Sequence, residues 1–299
     1  MTAAATIAAR ARLRADAHPA SPRMQRSVGA GRIAVKAGAD GRTRLAALYQ
    51  KANAKIRVPR QHHGRLEAVL INTAGGLTGG DRLNWDVAAG AGTHAVITTQ
   101  ACERIYRAAG GVARQRTAIT VDDGARIDWL PQETIVFDRA ALARTIAVDL
   151  APSATFTGIE TLVFGRKAMR ETVHEAFVHD RWRIARAGRL VHGDDVRIDG
   201  AIAPLRSAPG LFAGCDAMAS IVHCARLDEE QWAALAQDLR ARLDPLLAER
   251  PGAQGGVSAF AGKCVVRLIA ADSYALRPLT RAALDALRGA TPLPAVWHS

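Results

Sequence analysis

The sequence contains few aromatic residues and no long apolar run. Phe, Trp and Tyr make up only 5% of the 299 residues, so aliphatic side chains must fill the core that a hydrophobic content of 49% can support. No run of about 18 apolar residues occurs, which argues against a membrane-spanning helix. Aromatic rings rarely stand beside the basic residues, although proteins that bind single-stranded nucleic acids usually stack bases on such rings.

Cysteine is also scarce, and its spacing carries no motif. The chain has four cysteines, and no pair shows the C-x-x-C spacing of zinc or redox sites. Scattered cysteines in a chain of this size are typical of proteins in a reducing compartment. We therefore expect unreactive thiols and a cytoplasmic protein.

The charge is strongly one-sided. Lys and Arg number 40 against 28 Asp and Glu, a formal net charge of +12. Such a surface attracts acidic partners, which include both proteins and nucleic acids. The basic residues are spread along the chain and not gathered in one block, which favours docking on protein. A nucleic-acid-binding β module is the alternative, and a steep loss of binding with salt would identify it.

A period of two dominates the region from about residue 30 to residue 220. In residues 142–150, Leu142, Arg144 and Ile146 alternate with smaller or polar residues, as in a half-buried strand. Turn signals such as Asp123-Gly124 separate the strands. The sequence predicts a mostly β fold, an extended stacked β-sheet that is β-helix-like or a sandwich, with a few α-helices towards the C-terminus.

Two later segments have helical spacing. Residues 228–249 begin with Asp228 and Gln231 in a capping-box arrangement, and Pro245 should bend or end this helix. Residues 280–288 predict a second helix, with Thr280 as its N-cap and Gly289 at its end. A buried strand is expected at residues 265–269. We assign residues 1–28 to a disordered tail, with a targeting peptide as the alternative, and residues 29–299 to one domain.

A glycine-rich turn follows a predicted strand at residues 75–81. Gly75 and Gly80 have the spacing of a phosphate-binding loop, but Asp81 occupies the position where such a loop needs Lys. A carboxylate there would repel phosphate, so nucleotide binding is disfavoured. We expect structural roles in tight turns or close backbone packing for four glycines: Gly75, Gly76, Gly79 and Gly80.

Several segments together resemble one known family. The run GGLTGGD at residues 75–81 is followed by TTQA at 98–101, IYR at 105–107, WLPQETIVF at 129–137 and ETLVFGR at 160–166. Residues 188–190, Asp195, residues 266–270 and residues 294–297 continue the pattern. In this order and spacing they resemble the UreD (also called UreH) urease accessory proteins, from about residue 40 to the C-terminus.

The resemblance implies a non-catalytic scaffold. Proteins of this family bind apo-urease, a UreF-type protein and a UreG-type GTPase that carries nickel, and an internal tunnel has been proposed as the nickel route. The usual catalytic motifs, such as G-x-S-x-G and H-E-x-x-H, are absent from the sequence. A metal-dependent hydrolase that uses the His and Glu residues of 171–179 remains an alternative.

If nickel passes through, its ligands should release it again. Oxygen and imidazole ligands suit Ni²⁺ without trapping it. No tightly bound cofactor is expected. The candidate residues of a transient nickel path, all in or near the segments that carry the resemblance, are Asp81, His94, Glu103, Asp138 and Glu160.

Overall fold

Two stacked β-sheets form the body of the computed structural model, which describes residues 25–60, 64–166, 169, 171–289 and 291–298. The front sheet contains, in order across it, β14 (Arg189–Ala201), β13 (Glu175–Arg186), β11 (Ala140–Leu150), β8 (Ala113–Val121), β5 (Arg82–Ala89), β1 (Val28–Ala37) and β2 (Thr43–Lys51).

The back sheet has ten strands. In order across it lie β16 (Gln254–Phe260), β17 (Lys263–Ala270), β15 (Ala217–Cys224), β12 (Thr155–Phe164), β9 (Arg126–Leu130), β6 (His94–Thr99), β4 (Leu66–Asn72) and β3 (Ala54–Arg57). Two short strands, β7 (Glu103–Ile105) and β10 (Thr134–Val136), pair with each other, and β10 also pairs with β12.

The chain alternates between the two sheets as it advances. From β4 to β13 the long strands fall in turn in the back and the front sheet. From β6 onward, each of them is parallel to the preceding strand of its own sheet. This is the path of a β-solenoid, in which each coil adds one strand to each layer. Antiparallel strands complete both ends, with β2 beside β1 and β14 beside β13. The predicted stacked, β-helix-like fold is confirmed.

Burial explains the two kinds of strand sequence. In β11 buried and half-exposed residues alternate, because only one face of the front sheet packs on the core. In β12 every residue after Thr155 is buried, because this strand packs against the front sheet on one side and against helices on the other. The period of two is therefore clear in β11 and absent from β12.

Three helices and one short 3₁₀ turn complete the described structure. They are α1 (Ala203–Ser207), α2 (Glu229–Ala248), α3 (Ser273–Arg288) and the 3₁₀ turn Ala295–Trp297. Helices α2 and α3 pack on the outer face of the back sheet and bury Trp232, Leu239 and Leu284 there. Within the described residues, no helix combines the length and the apolar character that crossing a membrane requires.

The helix predictions were partly wrong. The capping box of Asp228 and Gln231 is present, but Pro245 does not end α2, which continues to Ala248. Helix α3 starts at Ser273 with Asp272 as its N-cap, so Thr280 lies inside the helix and is not its cap. The N–H that Pro278 lacks would have bonded to the carbonyl of Tyr274, whose residue is 90% exposed. Water can satisfy that carbonyl, so the helix tolerates the proline.

At the N-terminus, the described chain begins within the predicted tail. Residues 1–24 lie outside the described residues, as do His62 and His63. Ser27 already hydrogen-bonds to Asp81, and β1 begins at Val28. The single domain of residues 29–299 stays a prediction.

Candidate functional site

A line of polar side chains lies inside the solenoid, between the two sheets. It runs from Asn72 and Glu103 on the back sheet, past Arg144 on β11, to Glu160 on β12 and Asp180 on β13. Arg144, Glu160 and Asp180 are all buried. The neighbouring interior positions of the same strands are apolar, among them Leu142, Ile146, Leu162 and Val178. An ionic cluster in such a core needs a full set of partners.

Arg144 is the centre of this cluster. Its Nε donates to Asp180 Oδ1 at 3.0 Å, and its Nη2 lies 2.5 Å from Asp180 Oδ2. Its Nη1 donates to Thr134 Oγ1 at 3.0 Å and forms an ion pair with Glu160. Glu160 also accepts a hydrogen bond from Trp129 Nε1 at 2.9 Å. One guanidinium therefore bridges carboxylates from both sheets.

The two glutamates are easier to protonate than glutamates in water. Burial raises the pKa of Glu103 to about 7, although the hydrogen bond from Asn72 Nδ2 at 2.9 Å opposes the rise. Burial also raises the pKa of Glu160, and the nearby Asp180 carboxylate adds to the increase against the opposing charge of Arg144. Two carboxylates share one guanidinium, so their charges are not fully compensated.

Cavities follow the same line. The first, about 160 Å³, is lined by Glu103, Gln115, Arg144 and Glu160 and reaches the surface at Gln100. The second is only about 10 Å³ and lies between Glu160, Asp180 and Asp194. The last, about 500 Å³, is a cleft between β14 and the β15–β17 end of the back sheet.

Neighbouring cavities share lining residues. Glu160 borders the first two, and Val196, Met218 and Ser220 border the second and the cleft. We call this series of spaces the inter-sheet passage. Its wide ends open to solvent, and its middle has the volume of about one water-sized probe. At the cleft end, Asp194 on β14 pairs with Arg267 on β17 at 2.7 Å.

Glu103 and Glu160 are the two predicted nickel-path residues that line the passage. Asp81 lies elsewhere, where its carboxylate accepts hydrogen bonds from the backbone N–H of Ser27 at 2.8 Å and of Thr78 at 2.9 Å. It thereby ties the glycine turn to the start of β1. In the same way, Asp138 accepts from the backbone N–H groups of His174 and Glu175 at the start of β13.

His94 belongs to a second buried ionic cluster. Its Nε2 lies 3.1 Å from Asp128 Oδ2, and Asp128 also contacts Arg126 and Arg288. Burial opposes ionisation of Asp128, but the His94 hydrogen bond and the two guanidinium charges hold its pKa well below the usual range. Because Arg288 is the last residue of α3, this cluster fastens that helix to the back sheet.

The glycine turn has unusual backbone geometry. Gly75, Gly76 and Gly80 have φ values of 76°, 153° and 92°, in the region that favours glycine. Gly79 has an ordinary φ, but a Cβ on it would lie 2.3 Å from the carbonyl oxygen of Gly110. The turn therefore needs glycine both for conformation and for space.

The His and Glu residues of 171–179 do not come together. Glu171 pairs with Arg166 at 2.7 Å, and His179 on β13 pairs with Asp195 on β14 at 2.7 Å. Across the described ranges, no three His, Cys, Asp or Glu side chains are grouped so as to hold a metal ion. This observation does not favour the metal-dependent hydrolase.

None of the four cysteines forms a disulfide, and three of them are buried. Burial raises the pKa of Cys224 and Cys264 to about 11. Cys102 donates its Sγ–H to Glu133, and burial together with that carboxylate raises its pKa to about 12. These three thiols are therefore protonated at neutral pH, when their nucleophilicity is low.

Sequence reasoning missed Arg144, Asp180 and Asp194 as members of the site. The sequence did contain a signal for Arg144 and Asp180, because each stands on the buried face of an alternating strand, where apolar residues are expected. A charge on the core face of a strand predicts a buried ionic partner. Asp194 carried no such signal, since β14 is largely exposed.

Comparison with known proteins identifies the family. The model of the family described as "UreD urease accessory protein" matches residues 28–298. The urease accessory protein UreD of Rhizobium leguminosarum bv. trifolii is 48% identical over 279 residues, which are 93% of this chain and 98% of that protein. The UreD proteins of Rhizobium etli (48% identity, 92% of this chain and 97% of that protein) and Agrobacterium fabrum (44%, 92% and 93%) are similarly related. The chain belongs to the UreD family of urease accessory proteins.

Proposed function

We propose that this protein is a non-catalytic scaffold in the nickel-dependent maturation of urease, and that the inter-sheet passage conducts nickel ions. On this proposal it bridges apo-urease and the UreF-type and UreG-type partners in the cytoplasm. Nickel is cargo and not a resident cofactor. Membership of the UreD family supports the role in urease maturation.

One observation carries the proposal for conduction. Carboxylates stand at successive points of the inter-sheet passage: Glu103 in the first cavity, Glu160 and Asp180 at the narrow point, and Asp194 beside the cleft. Carboxylate oxygens attract a divalent cation. Because carboxylates bind such an ion less tightly than thiolates do, they also allow the ion to leave. Spaced oxygen ligands in a protein interior suit transfer better than storage.

The surface supports docking on acidic partners. The edge of the front sheet at β1 and β2 is basic, with Arg32, Arg44 and Lys51 exposed. Asp40 and Asp86 neutralise part of this charge through ion pairs with Arg44 and Arg32. Long-range attraction of this kind raises association rates with acidic proteins.

Two single substitutions in the passage test whether it conducts nickel. Glu103→Gln and Glu160→Gln keep the side-chain volume and remove the charge. Cells that express either variant should show several-fold lower urease activity and urease nickel content at limiting nickel, with pull-down of the partners unchanged. Excess nickel should restore part of the activity, because mass action compensates for weaker transfer.

Asp138→Asn is the matched control, since Asp138 is a carboxylate outside the passage. It should leave activation at limiting nickel unchanged. Normal urease activity in both glutamine variants at limiting nickel would exclude the passage as the route.

A further inference from the structure

The position of Arg144 is unusual for a residue inside a cation path. Its side chain is 1% exposed, and its guanidinium lies between Glu160 of the back sheet and Asp180 of the front sheet. Arginine stays protonated at any ordinary pH, so this positive charge is permanent. The guanidinium therefore occupies an interior position between two carboxylates, where a free cation would also be attracted.

The same group lies where the passage narrows. Arg144 lines the 160 Å³ cavity, while its partner Asp180 lines the 10 Å³ space beyond, and Glu160 borders both. A cation that moves from Glu103 towards Asp194 must pass the guanidinium at close range. Repulsion between charges only a few ångströms apart is strong in a protein interior, where screening is weak.

A second feature of the first cavity is an unused acceptor. Gln115 stands opposite Arg144 in the register of β8 and β11. Its Oε1 is buried and accepts no hydrogen bond in the described structure, and the residue lines the 160 Å³ cavity. Another oxygen ligand is thus available immediately before the narrow point.

We propose that Arg144 is a tethered cationic gate: its guanidinium takes the place of a divalent cation between Glu160 and Asp180. While it stays there, the passage is closed to nickel and the two carboxylates cannot trap the ion. Transfer requires the side chain to move aside, and its return displaces the nickel forward or back. This inference rests on the proposed function, because it assumes that the passage carries nickel.

The test removes the tethered cation and asks whether a free one replaces it. Arg144→Met replaces the guanidinium with an apolar side chain of moderate length and leaves Glu160 and Asp180 without their shared cation. The full-length variant should bind close to one Ni²⁺ per chain in equilibrium dialysis with NiCl₂, whereas the wild-type protein should bind at least tenfold more weakly. In cells at limiting nickel, urease activation should fall, because the variant retains the ion.

A matched control separates the gate from a general change in the core. The triple variant Arg144→Met, Glu160→Gln, Asp180→Asn has the same cavity without its carboxylates. It should show no gain in nickel binding. Arg144→Lys keeps a cation in place and should also show none.

Folding provides a second measurement, because unpaired buried carboxylates destabilise a protein. If Arg144→Met is unfolded without metal, NiCl₂ should restore its circular dichroism spectrum and raise its melting temperature, since the ion substitutes for the guanidinium. A folded variant that does not gain nickel binding overturns the gate, and so does a variant that stays unfolded with nickel present. If the gate fails while Glu160→Gln still lowers activation at limiting nickel, the conducting passage stands without a gate.

Discussion

Asp81 offers a quantitative test of whether a carboxylate next to the glycine turn acts by holding the backbone. It is 6% exposed and accepts hydrogen bonds from two backbone N–H groups, those of Ser27 and Thr78. A hydrogen bond to a charged acceptor contributes about 1.5 kcal/mol at the low end of the usual range, so Asp81→Ala should reduce the free energy of unfolding by about 3 kcal/mol. Asp81→Asn retains one acceptor and should lose about half as much.

Asp138 is the control for this estimate. It also accepts from two backbone N–H groups, but the donors belong to exposed His174 and Glu175. Water can replace the carboxylate there, so Asp138→Ala should cost only about 1 kcal/mol. Denaturant titrations followed by circular dichroism measure both losses, provided that the slope of the transition is unchanged.

Function provides a further readout for the same variants. Asp81 lies outside the inter-sheet passage, so urease activation by Asp81→Asn should decline only as far as the amount of folded protein declines. A loss below about 0.5 kcal/mol for Asp81→Ala, or equal losses for Asp81→Ala and Asp138→Ala, would refute this reasoning. A folded Asp81→Asn protein that fails to support activation would return Asp81 to the nickel path.

Three further outcomes are expected. Gly79→Ala should greatly reduce the yield of folded protein, because its Cβ would lie 2.3 Å from the carbonyl oxygen of Gly110. The Cβ of Gly75→Ala would meet open space, so this variant should lose only about 1 kcal/mol of unfolding free energy, for its positive φ. Soluble yield and thermal melts compare the two variants. The isolated protein should be poorly soluble, and coexpression of a UreF-type partner should raise its solubility. Leu48 is 41% exposed on the edge strand β2, so Leu48→Lys should raise solubility without the partner. Soluble yield and light scattering measure both effects. Burial raises the pKa of Glu103 to about 7 from 4.5, so the folded state binds more protons than the unfolded state between these pH values. The free energy of unfolding should therefore fall as pH rises from about 4.5 to 7, and Glu103→Gln should reduce this fall by about 1 kcal/mol after allowance for partial exposure; equal slopes would contradict it.

The class of fold could be predicted because its strands follow simple patterns. Leu142, Ile146 and Val148 mark one face of β11 through strict alternation, and Asp228 with Gln231 marks the start of α2. The start of α3 was misplaced, because Thr280 is of a residue type that favours the N-cap, whereas Asp272 is the N-cap in the structure. The alternation of strands between two sheets was also beyond reach, since the pairing of β5 with β8 depends on distant parts of the chain.

Part of the candidate site could also be predicted from the sequence. Glu103 and Glu160 were selected from segments that resemble the family, and both line the inter-sheet passage. Asp81 and His94 came from the same reasoning, but they lie outside the passage. Asp81 holds the glycine turn, and His94 belongs to the Asp128 cluster. Sequence order shows which residues are charged. It does not show whether their strands face the interior space or the helices.

The two buried ionic clusters differ in a way that bears on their roles. Replacing a buried ion pair by well-packed apolar residues is often neutral or stabilising, so stability alone does not explain why a core retains one. The Asp128 cluster has a structural explanation, because Arg288 joins α3 to the back sheet. The Arg144 cluster joins β11 and β13, which are already paired along their whole length, and connects them to β12. It also borders open space on both sides. A cluster that merely held the sheets together would be better packed without those cavities, since each void costs stability. Their presence around Arg144 agrees with the proposal that an ion passes through this part of the interior.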